Sequence, residues 1–281
     1  MGQIRKKLII FMVCMLAMTI AACSKNEQDV TAQTESEKVY LSDLEHGTIG
    51  VVEGNATSVL VSQQLPDATK LSFNSPTDMS MALLQGKIDA FATDESYLVG
   101  MKWEGYEVTR VEEPLGITEY GIVFPKGERS QKYRKEINSF LIKSREDGSL
   151  EKLEEKWFSG KEPTEFLDAS ALQPENGTLI VGTCSAAKPF VYIKNGKLAG
   201  FDIEFITAFA QAYGYKLQFE DTAFAAIMAG ISSGKYDIGM SGVTITEERK
   251  ESVDFSDIYH IEDLVFVIKK EIGAEDLSQF N

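Results

Sequence analysis
Arg249 is the residue in this sequence best suited to fixing an anion. Its planar guanidinium can give two parallel hydrogen bonds to a carboxylate. A little upstream, Ser241, Gly242 and Thr244 follow the apolar stretch Ile238–Met240. A loop at the end of a strand can aim hydroxyls and backbone N–H groups into a cleft. Asp94, just beyond Ile88–Ala92, supplies the opposite charge, and Glu95 stands beside it, so the role could fall one residue later. A fixed cation with hydroxyl and amide donors, opposed by a fixed anion, is chemistry that grips a small molecule carrying both a carboxylate and an ammonium. Each residue also has a plain structural use. Arg249 could be a helix-surface cation, Asp94 a helix N-cap, and Thr246 the cap of the helix that carries Arg249. Thr246 can cap while Thr244 binds.

These residues need elements to position them, and the hydrophobic periodicity predicts alternating strands and helices. Thr48–Val52 predicts a short β-branched strand, Glu53-Gly54-Asn55 a turn, and Thr57–Gln64 a helix. Pro76–Gln85 has helical spacing and stops at Gly86, and Ile88–Ala92 predicts a buried strand. Tyr120–Phe124 predicts one strand closed by Pro125, and Lys132–Phe158 one or two amphipathic helices broken near Gly148. Residues 161–178 are polar and carry two prolines, which reads as a linker. The alternation then resumes, with strands at Leu179–Gly182, Lys216–Phe219, Ile238–Met240 and Asp263–Ile268. Helices are predicted at Phe201–Gly214 and Ala223–Ser233, with another starting at Thr246. Strands alternating with helices imply an α/β fold with largely parallel sheets, whose ligands sit beyond the carboxyl ends of the strands.

Composition bounds the partners. The formal net charge is −15, which argues against nucleic acid, because phosphates attract basic surfaces. His46 and His260 are the only histidines, and no Cys/His cluster has metal-ligand spacing, so neither a metal nor a cofactor is expected. The N-terminus begins with Arg5, Lys6 and Lys7, then an apolar run from Leu8 to Ala22, too short for a comfortable membrane span of about 20 residues. A basic start, a short apolar core and small residues before a boundary predict a secretory signal over 1–22. The boundary Ile20-Ala21-Ala22-Cys23 resembles a lipobox, with Ile20 where Leu is commoner. It makes Cys23 the expected lipidation site and the protein an extracytoplasmic, membrane-anchored one. An ordinary signal with an incidental cysteine is the alternative. Residues 23–40 are too poor in bulky apolar side chains to offset their ordering entropy and read as a flexible tether.

From residue 41 onward the sequence resembles a known family. The strings GKLAGFDIE, SGKYDIGMSGVTIT and ERKESVDFSDIY closely resemble the first lobe of family 3 extracellular solute-binding proteins, the periplasmic amino-acid-binding class of ABC transporters. TIGVVEGNATS, ALLQGKIDAFATDES, YGIVFPKG and EDGSLEKLEEKWF resemble the second lobe of the same family. The resemblance implies a two-lobed, type II periplasmic-binding-protein fold, each lobe a mostly parallel sheet flanked by helices, with the lobe order permuted. Residues 41–127 are then lobe-two-like, and 128–160 are helices returning to lobe one. Residues 179–270 are lobe-one-like, and 271–281 begin the crossover to lobe two. A tandem array lacking its outer halves is the alternative to permutation. In the permuted arrangement, Tyr120–Lys126 is the one uninterrupted crossover.

The resemblance also assigns roles. Arg249, after Thr244-Ile245-Thr246, holds the position that binds a ligand carboxylate, and Ser241, Gly242 and Thr244 are ligand contacts. Asp94 holds the position that binds an ammonium. Phe224 matches an aromatic packed on the ligand's aliphatic part, with ordinary core packing as its alternative. Asn55 and Ala56 depart from the family's Gly-Thr turn, so only backbone and Thr57 contacts carry over there, at a helix start able to hold a carboxylate. Cys184 stands where many relatives have Asp, and Ala187 where many have an aromatic. Loss of that aspartate weakens the case for a cationic side chain on the ligand. The implied function is capture of an amino-acid-like solute by lobe closure, and delivery to a separate permease. An enzyme on the same scaffold, such as a dehydratase, and a degenerate or sensory module are the rival readings.

Overall fold
In a computed structural model, residues 39–52, 56–73, 75–171 and 175–270 are described. Cys23, the expected signal over 1–22, Asn55 and the 271–281 segment lie outside the described residues. The first half of the chain builds β1 (Thr48–Val52), α1 (Ala56–Gln64), β2 (Thr69–Phe73), α2 (Pro76–Leu84), β3 (Ala90–Asp94) and α3 (Glu95–Trp103). These are followed by β4 (Val108–Arg110), β5 (Gly116–Tyr120), β6 (Val123–Phe124), α4 (Glu128–Glu146) and α5 (Ser149–Phe158). The second half builds β7 (Thr178–Thr183), β8 (Ala186–Ala187), β9 (Val191–Lys194), β10 (Lys197–Ala199), α6 (Phe201–Tyr213) and β11 (Lys216–Asp221). It continues with α7 (Phe224–Ser232), β12 (Ile238–Gly239), α8 (Glu247–Ser252), β13 (Asp254–Phe255) and β14 (His260–Lys269).

Local chemistry explains several boundaries. Ser75 caps α2 by accepting the Asp78 N–H, and Pro76, which has no N–H to satisfy, takes the first helical position. The helix-to-helix break expected near Gly148 is there: Gly148 has φ +72 between α4 and α5. Gly200, which opens α6, has φ +133, and a Cβ there would lie 2.0 Å from the Phe190 carbonyl oxygen, so only glycine fits. The strand expected over Tyr120–Phe124 is instead split into β5 and β6. Between them Gly121 donates its N–H to Val243, and a Cβ on Gly121 would meet Phe255 at 2.8 Å.

The expected α/β class is found as two main sheets flanked by helices. The first runs β2-β1-β3-β14-β4, with β5 also paired to β14. The second runs β11-β7-β12-β6-β13, and β10-β9-β8 form a small meander. Within each sheet the strands from one half of the chain pair in parallel, β1 with β2 and β3, and β7 with β11 and β12. The strand contributed by the other half pairs antiparallel: β14 in the first sheet, β6 in the second. Among the described residues the backbone therefore passes between the sheets at two places, after Tyr120 and between Phe255 and His260. Tyr120–Lys126 is not the sole crossover, and the passage expected to begin at 271 is completed earlier, by β14. The reason is pattern: Leu264–Ile268 is a buried apolar run that fills the gap beside β3.

α4 and α5 belong to the first half of the chain but pack on the second sheet. Ile137, Leu141, Leu150 and Trp157 share one core with Leu179, Val181, Phe205 and Phe209. Each such side chain taken from water contributes roughly 1.5–3 kcal/mol. Glu204 of α6, almost buried, accepts from Lys156 Nζ at 2.7 Å and Trp157 Nε1 at 2.8 Å, which locks α5 to α6. The stretch expected as a linker is laid along the meander. Glu162 accepts from Tyr192, Asp168 pairs with Lys197, and Phe166 packs on the core.

Candidate functional site
The candidate residues fall at the carboxyl ends of parallel strands, in both sheets. Cys184 follows β7 and Ser241 follows its parallel neighbour β12. Thr57 lies in the first turn of α1, after β1, and Asp94 ends β3, the parallel neighbour of β1.

On the second sheet, Arg249 sits in α8. Thr246 caps that helix by accepting the Arg249 N–H at 3.2 Å, as one reading of the sequence expected. The half-buried guanidinium donates from Nη1 to the Thr244 carbonyl at 2.8 Å and lies 5.5 Å over the Phe224 ring. Burial pulls its pKa down, and the neighbouring Glu248 works against that. One N–H of its fork meets Thr244, and no ion pair holds it among the described residues. The alternative of a plain surface cation therefore does not describe it. Phe224, Cys184 and Phe255 pack together on the Ile227, Val243 and Val253 cluster, so the aromatic backs the guanidinium while still serving the core. Ser241 donates its hydroxyl to the Cys184 carbonyl at 3.0 Å and keeps its lone pairs. The Gly242 N–H, expected to face a ligand, is instead taken by the buried Asp202 at 3.0 Å. Asp202 also accepts from Tyr259 at 2.7 Å, and burial pushes its pKa up to about 7. Gly242 has φ +57, and a Cβ there would meet Phe190 at 2.8 Å, so this loop is shaped by its packing.

The same loop reaches the first sheet. Thr244 bridges Tyr120, and Ile245 donates to the Glu119 carbonyl at 2.8 Å. Two residues before Tyr120 on β5, Thr118 donates its hydroxyl to Asp94 at 2.8 Å. Arg249 and Asp94 are thus tied to opposite sides of one short strand. Asp94 occupies the N-cap position of α3, yet its carboxylate makes no capping hydrogen bond, so that structural use does not account for it. Burial raises its pKa, while Thr118 and Tyr120 hold it down. Glu95, the neighbour that could have taken the role, pairs with Arg110 at 3.1 Å, and Arg110 also pairs with Asp263 at 2.9 Å.

Sequence reasoning missed the groups behind these residues. Glu262 of β14 is buried, accepts from the Ser96 N–H at 2.6 Å and hydroxyl at 2.9 Å, and accepts from the Tyr120 hydroxyl. Burial pushes its pKa up to about 8. The local signal was weak: His260 and Glu262 alternate with the exposed Ile261, but the buried run Leu264–Ile268 that follows has no alternation to extend. Among the described residues no group of three or more His, Cys, Asp or Glu is placed to hold a metal ion. No described helix is long and apolar enough to cross a membrane.

Residues 179–275 match the family described as bacterial extracellular solute-binding proteins, family 3. Among curated proteins, the chain is 38% identical over 99 residues to the arginine-binding extracellular protein ArtP of Bacillus subtilis, covering 35% of this chain and 39% of that protein. It is 33% identical over 115 residues to the L-cystine-binding protein TcyJ of Escherichia coli, covering 40% of this chain and 43% of that one. The chain thus spans about two fifths of the length of these relatives. Among solved structures, an ancestral arginine-binding protein bound to arginine shares 48% identity, with 29% of this chain and 37% of that chain covered and a TM-score of 0.28. The relatives named here are binding proteins for amino acids.

Proposed function
We propose that this protein is the solute-capturing component of an ABC importer, extracytoplasmic and anchored to the membrane through a lipid on Cys23. It takes a free amino acid or close analogue and presents it to a permease. The observation that carries this reading is a cation and an anion with no ion pair among the described residues, Arg249 in α8 beside the second sheet and Asp94 at the end of β3 in the first, joined through Thr244, β5 and Thr118. Arg249 and the Ser241 and Thr244 hydroxyls receive the solute carboxylate. Asp94 receives the ammonium, with Thr57 at the neighbouring strand end. The Gly242 N–H serves the loop itself, through Asp202. A solute touching both sheets favours their approach, because only that arrangement gives it both sets of contacts. The lobe-like segments in reversed order remain part of this reading, supported by the exchange of β6 and β14 between the sheets.

Thermal unfolding of residues 24–281 with each common amino acid tests the proposal. A ligand that binds only the folded form adds about 2.7 kcal/mol at a hundredfold excess over its dissociation constant. One or a few amino acids should raise the Tm of the wild type and leave Arg249→Ala unmoved. A sharp transition that no amino acid shifts would overturn it.

A further inference from the structure
Two carboxyls share the first sheet's half of the site, and among the described residues no cation faces both. Asp94 ends β3 and Glu262 stands on the neighbouring strand β14; Thr118, the register partner of Glu262 on β5, donates to Asp94, and Tyr120, two residues along β5, donates to Glu262. The surrounding charges are engaged elsewhere. Arg110 is held by Glu95 and Asp263, and His260, two residues from Glu262, meets Glu154 at 2.7 Å. Tyr259 bonds Asp202, and Ser96 and Thr118 bring hydroxyls without charge. Two like charges in one desolvated place cannot both be held, so one carboxyl keeps a proton.

We propose that Glu262 holds the one proton of a coupled Asp94–Glu262 pair and gives it up when the ammonium of a solute settles on Asp94. The proposal rests on the binding reading above for the solute, but the pairing itself belongs to the empty protein. Glu262 is the more buried of the two, and of the three donors on its carboxyl the Ser96 N–H and hydroxyl still serve the protonated acid, so that only the bond with Tyr120 has to reverse. Asp94 is left as the anion. With its proton on Oε1, Glu262 donates to the Tyr120 oxygen, and the phenol proton is free to turn toward Asp94. A cation on Asp94 cancels the charge that made ionisation of Glu262 costly. The Glu262 O–H bond then breaks and the proton passes to water. A cavity of about 360 Å³, lined by Ser96, Phe158, His260 and Glu262, gives it a way out. Glu262 is a positioning residue here, acting through Asp94.

The test follows the carboxyl carbons of ¹³C-labelled glutamate across pH in the protein without solute. One resonance should titrate near the value burial gives Glu262, and Glu262→Gln should remove it. Asp94→Asn, which erases the neighbouring charge, should lower its midpoint by about one unit, the scale at which coupled sites separate. Asp94→Ala serves if the Asn variant does not fold. Absence of a late-titrating carboxyl, or a midpoint indifferent to residue 94, overturns the proposal. Calorimetry with L-arginine, L-histidine, L-glutamine and L-cystine in two buffers of different ionisation enthalpy then reads proton release. Wild type should release a proton on binding and Glu262→Gln should release none; equal release by both would also overturn it. If the resonance behaves as expected and none of these amino acids binds, the binding reading fails while the coupled pair stands.

Discussion
The two halves of the site hold their charges by opposite means. Arg249 stands nearly bare, with an aromatic ring behind it and a single main-chain carbonyl on its fork. Asp94 is embedded among Thr118, Tyr120 and Glu262, and its own charge is opposed by burial. The difference follows from the groups themselves. A guanidinium stays protonated at any working pH and keeps its donors in a fixed plane, so it needs little support. A carboxylate is charged only as far as its surroundings allow, so the fold surrounds it with hydroxyls that favour the ion. Each half also has a buried carboxyl behind it, Asp202 behind the loop of Ser241–Thr244 and Glu262 behind Asp94.

This contrast can be broken or sharpened by mutation. The largest effect is expected from Arg249→Ala. Hydrogen bonds to a charged partner are worth about 1.5–3 kcal/mol each, so losing two should weaken solute affinity by roughly a hundredfold or more. Calorimetry measures the affinity, and the Tm without solute should barely move, since no ion pair is lost. Next comes Asp94→Asn, with a loss of roughly tenfold in affinity from one charged contact, and, unlike Arg249→Ala, a changed pH profile of stability. If the two variants behaved alike in both measurements, the contrast would be wrong.

A smaller effect comes from pH alone. In the folded protein Asp202 keeps its proton up to about 7 and Glu262 up to about 8, whereas the unfolded chain loses both near the ordinary carboxylate values. The folded state therefore binds more protons in that window, and stability falls as pH rises through it. Denaturant unfolding at pH 5, 6.5 and 8 should show the decline, and Asp202→Asn and Glu262→Gln should each flatten it. An unchanged slope in both variants would remove the buried carboxyls from the account. The smallest effect is expected at the ion pair of Glu104 with Lys188, 3.2 Å apart and half exposed. Glu104→Ala should cost less than about 1 kcal/mol in urea titration, which serves as a control outside both half-sites.

Much of this was legible in the residues. The alternation predicted the class, and β1, α2, α5, β7, α6 and β11 lie where apolar spacing and glycine punctuation put them. Arg249 and its capping Thr246 were readable because capping and donor chemistry are local. What was not legible was non-local. β2, α3, β4 and the β8–β10 meander carry short or mixed patterns whose burial depends on partners far along the chain. Gly242 was expected to offer its N–H outward, and nothing near it in sequence announces Asp202, forty residues earlier. The packing of the expected linker was hidden for a similar reason: 161–171 is polar, but its acids find Tyr192, Lys194 and Lys197 on the meander.

The exchange of β6 and β14 has a consequence for how the chain is made. On the ribosome, residues 48–120 emerge before β14 and carry every other described strand of one sheet, leaving open the place between β3 and β4. Ala90 of β3 pairs with Ile268, so that seat stays empty until residue 268 has been made. An open strand edge of this kind is a template for wrong pairing. Contacts so distant in sequence close slowly. The nascent first half therefore depends on a strand made well after it, and a stall between β5 and β14 leaves a sticky edge exposed to whatever holds the chain in transit.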